Sequence, residues 1–450
     1  MGYGCVVCPS DSKVLVLVQE LRGTRMLLII CLHVDDLLMA HSHEEIRTSF
    51  MRDNPFKIKD LGRARRIVGG DIDQNIIAGT VKLSLRTYLE TVAHRFALTE
   101  VRHATTPTTQ KLVADCKRVD DTPGLPSRAE VDEVSEFFMQ GAGTALFITS
   151  FARPEGAHHA RYCTTRFTCC GFAHRAFLIH LLSYFVNTKE LGLNYLKGDN
   201  FNATGVYCPA DDPRDARVHG IGDASYVLPR GVGGSCVMMC GAAVAWRVGV
   251  HRAPSISPGE DEFYALTNTI TETVTVRQLV EEFGHVFPRV QHVFVFSDAS
   301  AARAIAEDAN TTACTRFIHR RWHFATFYSD EGVIRIMPIR GSHNPANIFT
   351  KFTFGVLFLR ERDHNYLWPR HLGPARSLRK PQRYTHGPSN TVLLRGRKQH
   401  KFARRNIHVH GPSNTAFAAG PECRKQHTTC RNSYLHKRNS TNLRFARCFV

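Results

Sequence analysis

The stretch LLIICLHVDDLLMA, from Leu27 to Ala40, places two adjacent aspartates in the middle of an apolar run. Charged side chains are rarely buried unless they are paired or bound to a metal ion. The apolar residues on both sides favour two β-strands, so Asp35 and Asp36 are expected at the tip of a hairpin. Tight hairpin turns more often use Asn-Gly or Asp-Gly. An Asp-Asp pair at this point favours a functional pair of carboxylates over a plain polar turn.

The rest of the first 200 residues mixes strand-like and helix-like patterns. The runs KVLVLVQE and RMLLIICLHV predict strands, and HEEIRTSFMRDN predicts a helix. The segment GTVKLSLRTYLETVAHRFAL predicts a short strand that leads into an amphipathic helix. Residues 111–200 hold helical stretches, including HRAFLIHLLSYFVNTKELG. The first part of the chain is therefore expected to combine α and β structure.

Charge is distributed unevenly along the 450 residues. The formal net charge is +18, but residues 371–450 alone contain 17 Lys and Arg and one acid, Glu422. The remaining residues are nearly neutral, with 41 basic and 39 acidic side chains. Residues 356–450 are also poor in aliphatic residues, which predicts a disordered basic tail. Such a tail attracts polyanions without sequence preference and says little about the rest of the chain.

Targeting signals and membrane segments are not expected. No apolar run reaches the roughly 18 residues of a membrane span, and the first residues lack the order of a signal peptide. The 14 cysteines are scattered, which suits a reducing compartment, and the CVVC motif at Cys5 is expected to hold ordinary thiols. The sequence therefore predicts a cytoplasmic or nuclear protein without a membrane partner.

Strands and helices alternate from about Ala216, and three acids stand at notable positions there. Asp223 lies in the strand-like HGIGDASYV, Glu260 in SISPGEDEFYAL, and Asp298 at the end of HVFVFSD. Each acid has a structural explanation of its own. Glu260 fits a capping box begun by Ser257, Asp298 could cap the next helix, and Asp223 could lie in a turn.

Taken together, the three acids favour a different explanation. If the strands of Asp223 and Asp298 are neighbours, a helix packed on the sheet could bring Glu260 to them. Three converging carboxylates repel one another unless cations lie between them. Two Mg²⁺ ions about 4 Å apart would neutralise this repulsion and could direct water at a phosphodiester.

This part of the chain resembles the ribonuclease H domain of copia-type LTR retrotransposon Pol polyproteins. Six landmarks of that family occur in the same order over about 135 residues. They are GDAS from Gly222, GAAVAW ending at Trp246, SPGEDEFYAL from Ser257, FSDASAA from Phe296, RWHF from Arg321 and NPANIFTK from Asn344.

The resemblance implies catalytic, metal-binding carboxylates at Asp223, Glu260 and Asp298. It also implies two Mg²⁺ or Mn²⁺ ions and an RNA–DNA hybrid as substrate. The family's fourth carboxylate falls on Asn347, whose amide can offer an oxygen to a metal but carries no charge. The second metal is therefore expected to bind weakly, which would impair hydrolysis. His343 lies nearby and is a candidate for proton transfer to the leaving group, or else a plain loop residue.

The same family places a reverse transcriptase upstream, and its Tyr-Val-Asp-Asp hairpin corresponds here to His33-Val34-Asp35-Asp36. FKIKDLGRARRIVGGDI from Phe56 and the following VKLSLRTYLETVAHRFAL also resemble the family, so the similarity covers roughly residues 1–355. A polymerase needs a further carboxylate on a neighbouring strand. None of the 34 residues before Asp35 offers an acid in a matching context, so polymerase activity is not expected.

These observations predict an α/β (α+β) protein in four parts. Residues 1–110 form the end of a reverse transcriptase palm, and residues 111–214 a helical thumb or connection segment. Residues 215–355 form a ribonuclease H-like mixed sheet with flanking helices, followed by the tail at 356–450. The expected function is two-metal hydrolysis of the RNA strand of hybrids. A nucleic-acid binder without catalysis and an inert, degenerate remnant are the alternatives.

Overall fold

The computed structural model describes residues 4–56, 58–98, 104–196, 218–227, 229–252, 254–283, 292–307 and 319–365. These residues form a mixed α/β fold, as predicted, and its strands are arranged in three sheets. The expected disordered tail lies outside the described residues except at its start. There the prediction placed the boundary too early, because a helix covers residues 355–365 and buries Phe358.

A four-stranded antiparallel meander begins the chain. Its strands are β1 (Val6–Cys8), β2 (Asp11–Leu21), β3 (Thr24–His33) and β4 (Asp36–His41), and helix α1 (Glu44–Asp53) follows. The sheet has apolar side chains on both faces, because α1 covers a small cluster around Leu28 and Ile46 while the opposite face joins the main core. The predicted hairpin is confirmed: His33 pairs with Asp36 across a two-residue turn.

A second antiparallel sheet joins distant parts of the chain. It contains β5 (Arg66–Ile67), β6 (Gly70–Asn75), β7 (Thr80–Ser84) and β8 (Gly192–Leu196), in that order. Helix α2 (Arg86–Arg95) follows β7, which confirms the predicted passage from strand to helix. Because β8 comes after the helical segment, this sheet ties both ends of that segment together.

Helices form most of the chain between β7 and β8, two neighbouring strands of the second sheet. Besides α2, they are α3 (Gln110–Asp121), α4 (Arg128–Phe151), α5 (Ala157–Thr164) and α6 (Phe172–Asn187), with a 3₁₀ turn at Pro154–Gly156. The break between α5 and α6 is well organised. Asp120 accepts hydrogen bonds from Tyr162, Arg166 and His174, and these contacts fix the two helices against α3.

The third sheet has five strands in the order β11-β10-β9-β12-β13. They are β9 (Val218–Ser225), β10 (Val232–Met239), β11 (Ala242–Val250), β12 (Val293–Ser297) and β13 (Ile334–Pro338). The first three are antiparallel, whereas β12 runs parallel to both β9 and β13. The helices of this part are α7 (Pro258–Glu282), α8 (Ser300–Glu307), α9 (His319–Asp330), α10 (Asn347–Thr350) and α11 (Gly355–Asn365).

One hydrophobic core connects the helical segment with the five-stranded sheet. Polar contacts cross the same boundary. Trp246 donates to the carbonyl oxygen of Thr149 in α4 over 2.8 Å. The Tyr195 hydroxyl, on β8 of the second sheet, likewise reaches the five-stranded sheet and donates to the carbonyl oxygen of Ala243 over 2.9 Å. The described helices include none that is both long and apolar enough to cross a membrane.

Candidate metal centre

Two of the predicted acids are aligned by the register of neighbouring parallel strands. Phe296 of β12 lies opposite Ile221 of β9. Asp298 and Asp223 each follow these residues by two positions, so the two carboxylates lie at the same edge of the sheet. Adjacent strands are about 4.8 Å apart, which brings the two side chains within reach of one cation. The expectation that these strands are neighbours is therefore confirmed.

The third carboxylate of this group comes from Glu262 in the first turns of α7. One carboxylate oxygen from each of Asp223, Glu262 and Asp298 lies within 4.8 Å of the others. Within the described residues, no other group of three His, Cys, Asp or Glu side chains is placed to hold an ion. Asp223 is buried, while Glu262 and Asp298 are partly exposed, so the group opens to solvent on one side.

The sequence prediction named Glu260 for this position, and the structure corrects it. Glu260 accepts a hydrogen bond from the backbone of Ile256 over 2.8 Å, and its own backbone N–H donates to Ser257 over 3.2 Å. Its other carboxylate oxygen accepts from the Tyr264 hydroxyl. The capping interpretation of Glu260 is thus confirmed, because these bonds hold its side chain at the helix start and away from the acid group.

Helix periodicity explains why Glu262 takes that place. The face of α7 that packs on β9 includes Ala265, Thr269 and Thr273, which lie against Gly220 and Gly222. Residues three or four positions apart share a face. Glu262 lies three positions before Ala265 and continues this face. Glu260 lies five positions before Ala265 and does not. This spacing was visible in the sequence and could have identified Glu262.

A short helix on the other side of β9 supplies further contacts to Asp223. The Thr350 hydroxyl donates to one carboxylate oxygen of Asp223, and Lys351 Nζ lies 3.2 and 3.3 Å from the two oxygens. The close approach depends on Gly234, opposite Asp223 in the sheet, because a Cβ there would lie 2.4 Å from Phe349 Cβ. The sequence analysis assigned no role to Thr350 or Lys351.

Burial and the charge of neighbouring carboxylates raise the pKa values of Asp223 and Glu262. Burial raises the pKa of Asp223, although Lys351 opposes the shift. Burial, together with the charges of Asp223 and Asp298, raises the pKa of Glu262 to about 8. At neutral pH and without a cation, the group therefore retains a proton. A bound divalent cation would displace that proton, because it stabilises all three carboxylates in their charged form.

Asn347 and the turn that carries His343 lie beside the acid group. The Asn347 amide nitrogen donates to the carbonyl oxygen of Gly341 over 2.8 Å, and its amide oxygen accepts from Lys351 over 3.1 Å. His343 ends the 3₁₀ turn that starts at Gly341, and its side chain is exposed. A Cβ on Gly341 would lie 2.9 Å from an oxygen of Asp298, so this turn borders the site.

The other predicted pair, Asp35 and Asp36, lies at the tip of the β3–β4 hairpin. Both side chains are exposed. Val34, which precedes them in the turn, has a φ of +54°, a value that β-branched residues rarely adopt. Within the described part of the chain, no third acid joins them in a group that could hold an ion.

Comparison with known proteins supports the predicted relationship. Residues 11–110 match the reverse transcriptase (RNA-dependent DNA polymerase) family. Over 330 residues, 72% of this chain, the sequence is 23% identical to the retrovirus-related Pol polyprotein from transposon TNT 1-94 of Nicotiana tabacum. The aligned region spans 23% of the length of that relative. The chain is thus similar to part of a copia-type retrotransposon Pol polyprotein, with a reverse transcriptase-like region at residues 11–110.

Proposed function

We propose that the five-stranded sheet and its helices hydrolyse the RNA strand of RNA–DNA hybrids, as a ribonuclease H does. The observation that carries this proposal is the convergence of Asp223, Glu262 and Asp298 from two parallel strands and one helix. These acids come from segments far apart in sequence. A capping residue or a surface charge would not require such convergence.

The donor set fits a divalent cation with a preference for oxygen ligands. Three carboxylate oxygens within 4.8 Å of one another suit Mg²⁺ or Mn²⁺, which also keep water ligands on an open side. When bound, such a cation lowers the pKa of a coordinated water and stabilises charge on the phosphate. Asp223, Glu262 and Asp298 would hold it.

The remaining side chains support binding and proton transfer. Thr350 fixes the orientation of the Asp223 carboxylate through its hydroxyl. His343 is exposed and belongs to the turn whose first residue, Gly341, borders Asp298, and this supports a role for it as the proton donor to the leaving oxygen. A nucleic-acid ligand agrees with the reverse transcriptase match at residues 11–110. Polymerisation by Asp35 and Asp36 is not part of the proposal.

The proposal is tested on the full chain with an end-labelled RNA–DNA hybrid and either Mg²⁺ or Mn²⁺. Glu262→Gln and Glu260→Gln form a matched pair, since each replaces one carboxyl group near the start of α7 with an amide of the same size. Loss of Glu262 should reduce cleavage on the order of 100-fold or more, since even groups that only orient metal ligands contribute 10–100-fold. Glu260→Gln should stay within about twofold of the parent, because a glutamine can still accept the cap hydrogen bond.

Three other outcomes would reject or change the proposal. Equal loss in both variants would mean that helix capping, and not the acid group, limits activity. Hybrid binding that weakens steeply with salt, but without cleavage, would support a nucleic-acid binder without catalysis. Neither cleavage nor binding by the folded parent protein would indicate an inert remnant.

A further inference from the structure

Lys351 places a positive charge directly beside the proposed metal centre. Its ammonium nitrogen lies 3.3 Å from Asp223 Oδ1, 3.2 Å from Asp223 Oδ2 and 3.1 Å from Asn347 Oδ1. It thus contacts both a carboxylate of the acid group and the residue where the family has its fourth carboxylate. The lysine side chain as a whole is 46% exposed, whereas that of Asp223 is almost fully buried.

Two hydrogen bonds, one from the backbone of Lys351 and one from the neighbouring Thr350 side chain, hold this part of the chain beside the site. Lys351 directly follows α10, and its backbone N–H donates to the carbonyl oxygen of Asn347 over 2.9 Å. Thr350, one position earlier, donates to Asp223. These bonds direct the lysine stem toward Asp223, so its position follows from the local fold.

The Asn347 amide is oriented in a way that favours the ammonium group. Its nitrogen donates to the Gly341 carbonyl oxygen and, over 3.4 Å, to Glu361 Oε1. A carbonyl and a carboxylate oxygen accept hydrogen bonds, so the amide nitrogen must face them and the amide oxygen must face Lys351. The oxygen that could have bound a cation is therefore already engaged by the lysine.

We propose that the ammonium group of Lys351 takes the place of a second cation, so that this centre binds a single divalent ion. The inference rests on the proposed function and specifies its metal requirement. A divalent ion bound between Asp223 and Asn347 would lie against the ammonium group and be repelled by it. An ion held jointly by Asp223, Glu262 and Asp298 would lie on the opposite side of the acid group, away from the ammonium group.

The test is a titration of the full chain with Mn²⁺, in which free Mn²⁺ is measured by electron paramagnetic resonance. Bound Mn²⁺ that is lost in the double variant Asp223→Asn/Asp298→Asn is assigned to the centre. The parent protein should bind one such ion. Lys351→Met should bind two, because removal of the ammonium group frees Asn347 Oδ1 and one side of Asp223.

Two controls separate the position of the charge from the charge itself. Arg360→Met also removes one positive charge from this part of the chain, but Arg360 contacts the carbonyl oxygen of Ser342 and not the acids. It should bind one ion, as should Lys351→Arg, which keeps a cation. Circular dichroism of each variant confirms that the protein remains folded.

The outcomes distinguish this inference from the proposed function. Two ions in the parent, or one ion in folded Lys351→Met, would overturn the inference while leaving a metal-dependent hydrolase in place. No ion in the parent at millimolar Mn²⁺ would overturn both.

Discussion

Asn347→Asp introduces the acid that the resemblance to copia-type Pol polyproteins implies at this position, yet the structure predicts that it destabilises the protein. The amide nitrogen donates to Gly341 O over 2.8 Å and to Glu361 Oε1 over 3.4 Å. An aspartate cannot donate to either, and its second oxygen would face two acceptors in a buried position. Each unpaired buried polar group costs about 1–3 kcal/mol, with the long second contact at the low end.

The gain from a new ion pair with Lys351 is small, at most about 1 kcal/mol, because that lysine is nearly half exposed. We therefore expect a net loss of about 1–3 kcal/mol in the free energy of unfolding. Urea unfolding at pH 7.5 without divalent ions measures this value. Glu361→Gln restores a donor opposite the introduced aspartate, so the double variant should be about 1 kcal/mol more stable than additivity predicts.

A clear result would refute this reasoning. If Asn347→Asp is as stable as the parent, the amide orientation does not matter and the fourth carboxylate can be restored freely. If the two substitutions have additive effects on the free energy of unfolding, Glu361 is not the residue that destabilises the introduced aspartate.

Two further predictions concern the support of the site. Burial lowers the pKa of His158 to about 3 and that of His159 well below its usual value, so stability should fall as pH drops below about 6.5, by up to about 1.4 kcal/mol per pH unit for each imidazole. Urea unfolding at pH 7.0 and 5.5 measures this slope, and His159→Phe should flatten it; an unchanged slope would contradict the assignment. Gly234→Ala should cost about 1–3 kcal/mol and weaken Mn²⁺ binding, because the new methyl group meets Phe349. Gly249→Ala is the control, because a Cβ at Gly249 would have nothing within 4 Å, and equal effects of both substitutions would count against the argument.

Features set by local pattern or by strand register could be predicted from the sequence. The apolar runs around Asp35 and Asp36 specified the hairpin, and the alternation of strands and helices specified the mixed sheet. The proximity of Asp223 and Asp298 followed from the assumption that the two strands that carry them are neighbours. In each case the controlling interaction is the backbone pairing or the apolar periodicity, which a sequence displays directly.

The sequence motif alone did not show which of Glu260 and Glu262 caps the helix and which joins the acid group. Both glutamates lie at the start of α7, but one is used by the helix cap and the other continues the face that packs on β9. The role proposed for Lys351 could not be found in this way. It depends on the orientation of the Asn347 amide, which is set by contacts of α10 with the turn at Gly341 and with Glu361 of α11, and these contacts form only in the folded protein.

The contacts between the helical segment and the five-stranded sheet have a practical consequence for anyone who shortens this protein. A fragment that begins near residue 210 would leave the Trp246 indole without its acceptor on Thr149 and expose the core beneath β11. It would also remove His158, which hydrogen-bonds the Phe349 carbonyl oxygen over 3.2 Å and so supports α10. We therefore expect a fragment from residue 210 to be less stable than the full chain, and a fragment that also contains the upstream helices to be the better choice for testing the chemistry proposed for residues 218–365.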